Sequence, residues 1–385
     1  MRSGKSSSAI VGSAVTPNAI YSQPEDDLIT RCVVAAARDA GVDRHDIRGV
    51  IAMTPRSHTT QHYQSQHIAT RLGLNIEVVC EMEIAALGLC NALRMAAAWI
   101  EERDMPAVAI WGSSRESTVP TAEFFGNRTN RTSDASFVGP FGMSPMVWNA
   151  LGAREMMAAG EVSEMDFANV AVRLRQQAVL NPLAYWRKAV TAEEVLSSRM
   201  VASPLRLLMV CPRTDGAGCL IVARNDIAQR NASRAVVHLA QGLAHDHNNI
   251  IPERAGQSFW TLPSTSRAIA DAFARTGLSH EDIDVVEPWI PFAPMEIMVM
   301  RGLGFGRDYP SRLTVSPSGG LIGRGHPLLA TGFYSTHEMV QQLRGEAGTR
   351  QVDTVRHAMT VTETGNYNDC AVDVFARFDR GAAVR

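Results

Sequence analysis

Residues 316–335 read SPSGGLIGRGHPLLATGFYS. Glycines 319, 320, 323 and 325 lead into His326-Pro327 and then an apolar run. Glycine permits positive φ and lets backbone approach a ligand closely. A helix beginning near Pro327 is expected, because proline suits the first helical position; its free N–H groups and positive end would face the turn. His326 would then stand where a developing anion can be stabilised and a proton exchanged. A helix cap or a backbone-bonded histidine would use the same residue without chemistry. No Gly-Lys-Ser/Thr follows, so the turn is not a P-loop.

Outward from this turn the chain alternates strand and helix patterns. Ala9–Val15, Ile47–Met53, Val78–Ile84, Val108–Trp111 and Gly218–Ala223 read as strands. Asp26–Ala40, Tyr63–Leu72 and Leu87–Ile100 read as helices, the last apolar nearly all round and so expected to be buried. Such alternation marks a sheet covered by helices. Ser113 to Pro212 is irregular and rich in Asn, Arg, Ser and Pro, which suggests an inserted loop domain. A second half then echoes the first. Asp39 to Ile47 (DAGVDRHDI) and Arg275 to Ile283 (RTGLSHEDI) each end a helix at glycine, cross an acidic turn and enter a strand. The helix Leu328–Leu343 and the strands Ala358–Val361 and Ala371–Phe375 complete the echo. An internal duplication is the expectation, with halves 1–235 (loop domain about 113–215) and 236–385.

Composition narrows the classes. The 385 residues are 45% hydrophobic and 20% charged, as in an ordinary globular protein. A formal net charge of -2 gives no electrostatic case for nucleic acid or an anionic membrane. Cys32, Cys80, Cys90, Cys211, Cys219 and Cys370 form no C-x-x-C pair and suit a reducing cytoplasm. The N-terminus has no long apolar core, so no signal peptide is expected, and no apolar run is long enough to span a membrane.

The segment SGGLIGRGHPLLATG (residues 318–332) resembles the Gly-His-Pro motif of thiolases, most closely the sterol-carrier-protein-x type. Residues 181–218, NPLAYWRKAVTAEEVLSSRMVASPLRLLMVCPRTDGAG, are similar to that subfamily's loop-domain passage. The resemblance covers nearly the whole chain. It implies an α/β thiolase fold: duplicated βαβαβαββ halves in a five-layered α-β-α-β-α sandwich with an inserted loop domain. It further implies a coenzyme A thioester tunnel, a homodimer, and coenzyme A arriving as part of the substrate with no separately bound cofactor.

The departures from the family bear on function. Such thiolases carry a cysteine nucleophile at the start of the buried helix of the first half, where the helix N-terminus lowers its pKa. Matching the helix and the following strand puts Ala86 there, or Ala85 with a shift of one residue. Cys80 and Cys90 read as small buried hydrophobes. The second family cysteine falls at Thr364 or Gly365, and Cys370 points to packing at the start of the last strand. The Asn-Glu or His-Asp pair expected opposite His326 is missing from Val286–Pro294, where Trp289 and the prolines suggest an apolar wall. Of the usual set His326 remains.

Without a thiolate no acyl-enzyme forms. A coenzyme A thioester pocket, a histidine and an oxyanion site can still stabilise an enolate, which suits retro-aldol or aldol chemistry on a bulky β-hydroxyacyl-CoA. Thiolase-like steroid aldolases resemble this pattern and act with an OB-fold DUF35 partner. Tyr367 and Asp369, in the last loop, are the accompanying acid/base candidates. Acyl transfer, as in an acetyl-CoA acetyltransferase or Claisen enzyme, is the alternative; a non-catalytic lipid carrier or scaffold subunit is another. Arg187, Lys188 and Arg199 could meet the coenzyme A phosphates or simply be solvated. Ser318, Gly319 and Gly320 match the pantetheine-facing turn, and Met143 lies in the passage expected to line the acyl pocket. In the passage that holds His58, His62 and His67, His58 and His62 have i,i+4 spacing but no matching third ligand is evident, so no metal is expected.

Overall fold

The echo between residues 39–47 and 275–283 is realised in three dimensions. The first helix stops at Gly41 (φ 62°) and its counterpart at Gly277 (φ 72°), the left-handed conformation that glycine adopts without a Cβ penalty. Short 3-10 turns follow at Arg44–Asp46 and His280–Asp282, preceded by Asp43 and Ser279, and each leads into a parallel strand.

The computed structural model describes residues 8–54, 61–124, 126, 136, 139–246, 258–364 and 368–378. The strands are β1 Ser8–Val15, β2 Ile47–Met53, β3 Val78–Met82, β4 Ala107–Arg115, β5 Met200–Ala202, β6 Leu205–Arg206, β7 Asp215–Arg224, β8 Val236–His245, β9 Val285–Pro288, β10 Thr314–Val315, β11 His357–Thr364 and β12 Asp369–Arg377. The helices named below are α1 Glu25–Ala40, α2 Gln64–Leu72, α3 Gly88–Arg103, α4 Pro145–Ala158, α5 Glu164–Val179, α6 Ala192–Ser197, α7 Asn225–Arg230, α8 Pro263–Thr276, α9 Ala293–Gly302, α10 Tyr309–Arg312 and α11 Thr331–Arg344.

Strand order makes the duplication explicit. The first half runs β3-β2-β4-β7-β1 and the second β10-β9-β11-β12-β8. Each half therefore places its third, second, fourth, fifth and first strands side by side. In both, the first three of these neighbours pair in parallel and the last two join antiparallel. The halves meet edge to edge where Ile10 of β1 pairs with Val236 of β8. Even the packing glycines correspond. A Cβ on Gly12 of β1 would lie 2.1 Å from the Ala36 carbonyl of α1, and one on Gly242 of β8 would lie 1.8 Å from the Ala268 carbonyl of α8. Each glycine lets an outer helix sit directly on its sheet.

Three apolar clusters define the layers. α1 and α2 cover one face of the first half-sheet. Leu89 and Leu93 of α3 and Phe333 and Leu343 of α11 fill the middle, against Ile51 and Ile110 of one half and Val285 and Phe375 of the other. α5, α8 and α9 cover the far face of the second half-sheet. The layers run helix, sheet, paired central helices, sheet and helix, the order that the resemblance implies. α3 is buried as its composition requires. Between β4 and β7 lies the loop domain, holding α4, α5, α6 and the β5–β6 hairpin.

Two expectations need correction. β3 ends at Met82, before Glu83 and Ile84, which are exposed. No helix begins at Pro327: Gly320–Arg324 forms a π-helical turn, Leu328–Ala330 a 3-10 turn, and α11 starts only at Thr331. His326 thus lies between two tight turns, one helical turn ahead of α11.

Candidate active site

The glycine turn is a buried seat for the loop domain. A Cβ on Gly319 (φ 94°) would fall 2.6 Å from the Ala178 Cβ, and one on Gly323 would meet the same atom at 2.6 Å and the Leu174 carbonyl at 2.7 Å. α5 therefore rests on turn backbone, a contact that side chains at 319 or 323 would prevent. Tyr185 and Trp186 donate backbone hydrogen bonds of 2.8 and 3.1 Å to the carbonyls of Arg324 and Gly323. Ser316 (φ 55°) and Leu328 (φ 34°) adopt left-handed backbone at either end, an arrangement that costs on the order of 1 kcal/mol or more per residue. Strained backbone persists where surrounding structure over-determines it, here on both sides of His326.

His326 is 6% exposed. Its Nδ1 is 2.8 Å from the hydroxyl of Thr331, the first residue of α11. The Trp289 ring meets the imidazole edge-on, centroids 5.4 Å apart. Trp289 lies just past β9, and its backbone N–H donates to the Val361 carbonyl of β11 at 2.8 Å. The His326 backbone pairs with Arg213, ahead of β7. Thr331 and Trp289 of the second half hold the imidazole, and Arg213 of the first half holds its backbone.

Ala86, 8% exposed, lies in the 3-10 turn Ala85–Leu87 that opens α3. That turn packs against β11 and against Leu328–Ala330, just beyond His326. A methyl group therefore stands at the N-terminal end of the central helix, beside the histidine-bearing loop. Cys90 is one turn further on, buried, with its Sγ 3.5 Å from the Thr362 hydroxyl, and burial raises its pKa well above the usual thiol range. Burial does the same to Cys370 on β12, and pushes Cys211 up to about 12. Cys80 differs from expectation: it lies on β3, the edge strand among the described residues, and is partly exposed.

The remaining expected residues scatter. Ser318, Gly319 and Gly320 are buried, and the Ser318 hydroxyl donates to Glu287 at 2.5 Å. The Ser318 hydroxyl serves this internal bond, and α5 packs over the turn. Arg187, Lys188 and Arg199 are exposed in the loop domain. Met143 is half-buried just ahead of α4. Asp369 is held by the Nδ1 of His245 on the neighbouring strand β8. Tyr367 and His58 lie outside the described residues. A cavity of about 540 Å³, bounded by Arg173, Glu296, Arg301 and Phe305 between α5 and α9, includes neither His326 nor Ala86.

Sequence reasoning missed two buried carboxylates beside the site. Glu287 on β9 is pushed up to about 7 by burial, which outweighs the facing Arg324. Glu363 near the end of β11 is pushed up to about 8 by burial, against the hydroxyl of Thr265 that donates to it. A charged residue inside an otherwise apolar strand pattern was the available signal.

Residues 242–377 match the family described as Thiolase C-terminal domain-like. The acetyl-CoA acetyltransferase of Methanothermobacter thermautotrophicus is 32% identical over 375 residues, which span 91% of this chain and 94% of that one. Sterol carrier protein 2 of Gallus gallus is 30% identical over 291 residues, and the match spans only 53% of that longer protein. Among solved structures, an Ltp2-ChsH2(DUF35) aldolase superposes with a TM-score of 0.83 at 21% identity, covering 97% of this chain and 99% of that one. The chain belongs to the thiolase superfamily and is sterol-carrier-protein-x-like.

Proposed function

We propose that this thiolase-superfamily protein is a carbon–carbon lyase acting on a bulky, steroid- or lipid-like β-hydroxyacyl-CoA without a covalent acyl-enzyme. The observation that carries the reading is the methyl of Ala86 at the opening of the central helix, with Cys90 and Cys370 buried and held protonated. The reaction then needs a base and an enolate site only. His326 takes the proton of the β-hydroxyl. The Cα–Cβ bond breaks, its electron pair moving onto the thioester as an enolate, and a ketone or aldehyde leaves. Protonation of the enolate carbon yields the shorter acyl-CoA. No oxidant or additional nucleophile enters. Coenzyme A belongs to the substrate, with Arg187, Lys188 and Arg199 available to its phosphates and Met143 to the acyl group. The solved aldolase of similar fold is described with a DUF35 protein, which supports an OB-fold DUF35 partner for this chain. A homodimer in the cytoplasm is part of the same reading; no described helix is long and apolar enough to cross a membrane.

The acetyltransferase relative favours acyl transfer as the second reading. Incubation with an acyl-CoA followed by intact-protein mass spectrometry separates the two. The lyase reading expects no adduct, together with release of a carbonyl product from a β-hydroxyacyl-CoA. A stable acyl-enzyme refutes it. His326→Ala is expected to lower lyase turnover by about 10²–10⁴-fold with coenzyme A binding kept; unchanged turnover in a complex with a partner would instead mark the chain as a scaffold subunit.

A further inference from the structure

The turn that carries His326 also carries a buried cation. Arg324 is 1% exposed, and its guanidinium lies over the Tyr334 ring, 5.2 Å from the centroid. Facing it is Glu287, 0% exposed, with Nη2 and Oε1 separated by 3.9 Å. The same Oε1 accepts the Ser318 hydroxyl. Each member of this pair stands two residues before a residue of the site: Glu287 before Trp289, Arg324 before His326. These are the two rings that meet edge-on. The pair therefore links the end of β9 to the glycine turn at the level where the two segments present their rings.

The pair is incompletely satisfied. Glu287 Oε2, Arg324 Nε and Nη1 and the Ser316 hydroxyl are buried without hydrogen-bond partners. At 3.9 Å the charges attract without a full bond, and buried charges are costly unless well paired. A well-packed apolar pair would hold the segments together more cheaply. An ionic pair differs in that its strength follows protonation.

We propose that the Glu287–Arg324 pair is a positioning unit that sets how the His326 imidazole stands against Trp289, and that it loosens when Glu287 takes up a proton. This deepens the reading of His326 as the acid/base and rests on it for its catalytic meaning alone. The groups facing Glu287 are Arg324 and Ser318 from the turn, Glu338 from α11 and Arg173 from α5. Glu338 is itself paired with Arg350 at 3.0 Å, so its repulsion of Glu287 is muted. Burial pushes Glu287 up to about 7, which puts the change at neutral pH. Glu287 and Arg324 touch no substrate in this scheme; they act through His326 and Trp289.

The test follows the imidazole directly. The Cε1–H resonance of His326, assigned by its loss in His326→Gln, is recorded against pH in the full-length protein. The expected wild-type curve shows a second inflection near pH 7 besides that of the imidazole. Glu287→Gln, which keeps an acceptor for Ser318, removes that inflection. Should Glu287→Gln fail to fold with Arg324 unpaired, Ser318→Ala shifts the inflection while leaving both charges in place, and the wild-type curve needs no variant. A single inflection in the wild type overturns the proposal, as does a second one that persists in Glu287→Gln. Lyase assays are read separately. Glu287→Gln is expected to lower kcat by about 10-fold or more with KM little changed. If His326→Ala remains active while the second inflection is present, the lyase reading fails and the positioning unit stands.

Discussion

Gly323→Ala tests the claim that the glycine turn is a seat for the loop domain. The built Cβ lies 2.6 Å from the Ala178 Cβ and 2.7 Å from the Leu174 carbonyl oxygen. Carbon atoms pack best at roughly 3.5–4.0 Å, so α5 must retreat by about 1 Å. Neither obstacle is the end of a flexible side chain; one is a Cβ and the other is helix backbone. Two effects oppose. Alanine removes backbone freedom from the unfolded chain, a gain of up to ~1 kcal/mol in a helical turn. Overpacking costs about 1–3 kcal/mol, and the rigid neighbours place it at the upper end. The clash wins, with a net loss of about 1–2 kcal/mol and a fall in Tm of roughly 1–2 °C for a chain of this size. Urea and thermal denaturation read the first effect. A displacement of about 1 Å at the His326 loop is also expected to lower turnover by roughly 10²-fold. Ala178→Gly supplies the decisive comparison. Alone it costs about 1 kcal/mol in a helix interior, but it removes one of the two obstacles. The double variant should be more stable than the sum of the singles by about 1 kcal/mol. Strict additivity, or a Gly323→Ala protein as stable as wild type, would refute the reasoning.

Three further outcomes are expected. Ala86→Cys places a thiol at the N-terminal end of the central helix, where the helix favours a thiolate, and should acquire an acyl adduct from acyl-CoA that wild type does not form; its absence would mean that position 86 is not the nucleophile's place. Lys5 and Lys188 are the only lysines of the sequence, so amine-reactive labelling is simple to read. Coenzyme A should protect Lys188 and leave Lys5 unchanged, and equal labelling with and without it would place the phosphates elsewhere. Glu363, raised by burial to about 8 from 4.5, contributes stability that is complete below pH 4.5 and is lost as pH rises through 8. Glu363→Gln should therefore flatten the decline in unfolding free energy between pH 6 and 8.5, a slope on the order of 1 kcal/mol per pH unit in wild type; a slope equal to wild type would show that the carboxyl ionises as in water.

Much of this protein was legible because its signals are local. Periodicity marked α1, α3 and β2 within a few residues of their observed ends, since a half-buried element must repeat its apolar side chains with its own geometry. The paired glycine stops at 41 and 277 announced the duplication. The start of α11 was misplaced because Pro327 is an equally good opening for a 3-10 turn, and the turns before and after it are set by α5 and Thr331 rather than by their own residues. The Ser318–Glu287 bond was not legible for a similar reason: whether a hydroxyl on a turn meets a buried carboxylate depends on which strand lies behind it.

By itself the sequence determined the α/β class, the repeated halves, the histidine at the glycine turn and the alanines at 85 and 86, because each is a matter of residue type at a local position. Only the tertiary structure decided that the Ala86 turn and the His326 loop abut, that Glu287 and Arg324 face each other beneath the site, and that Asp369 belongs to His245. These are contacts between segments remote in the chain. They follow from the strand order and from the stacking of both halves on the shared central helices, which no run of neighbouring residues encodes.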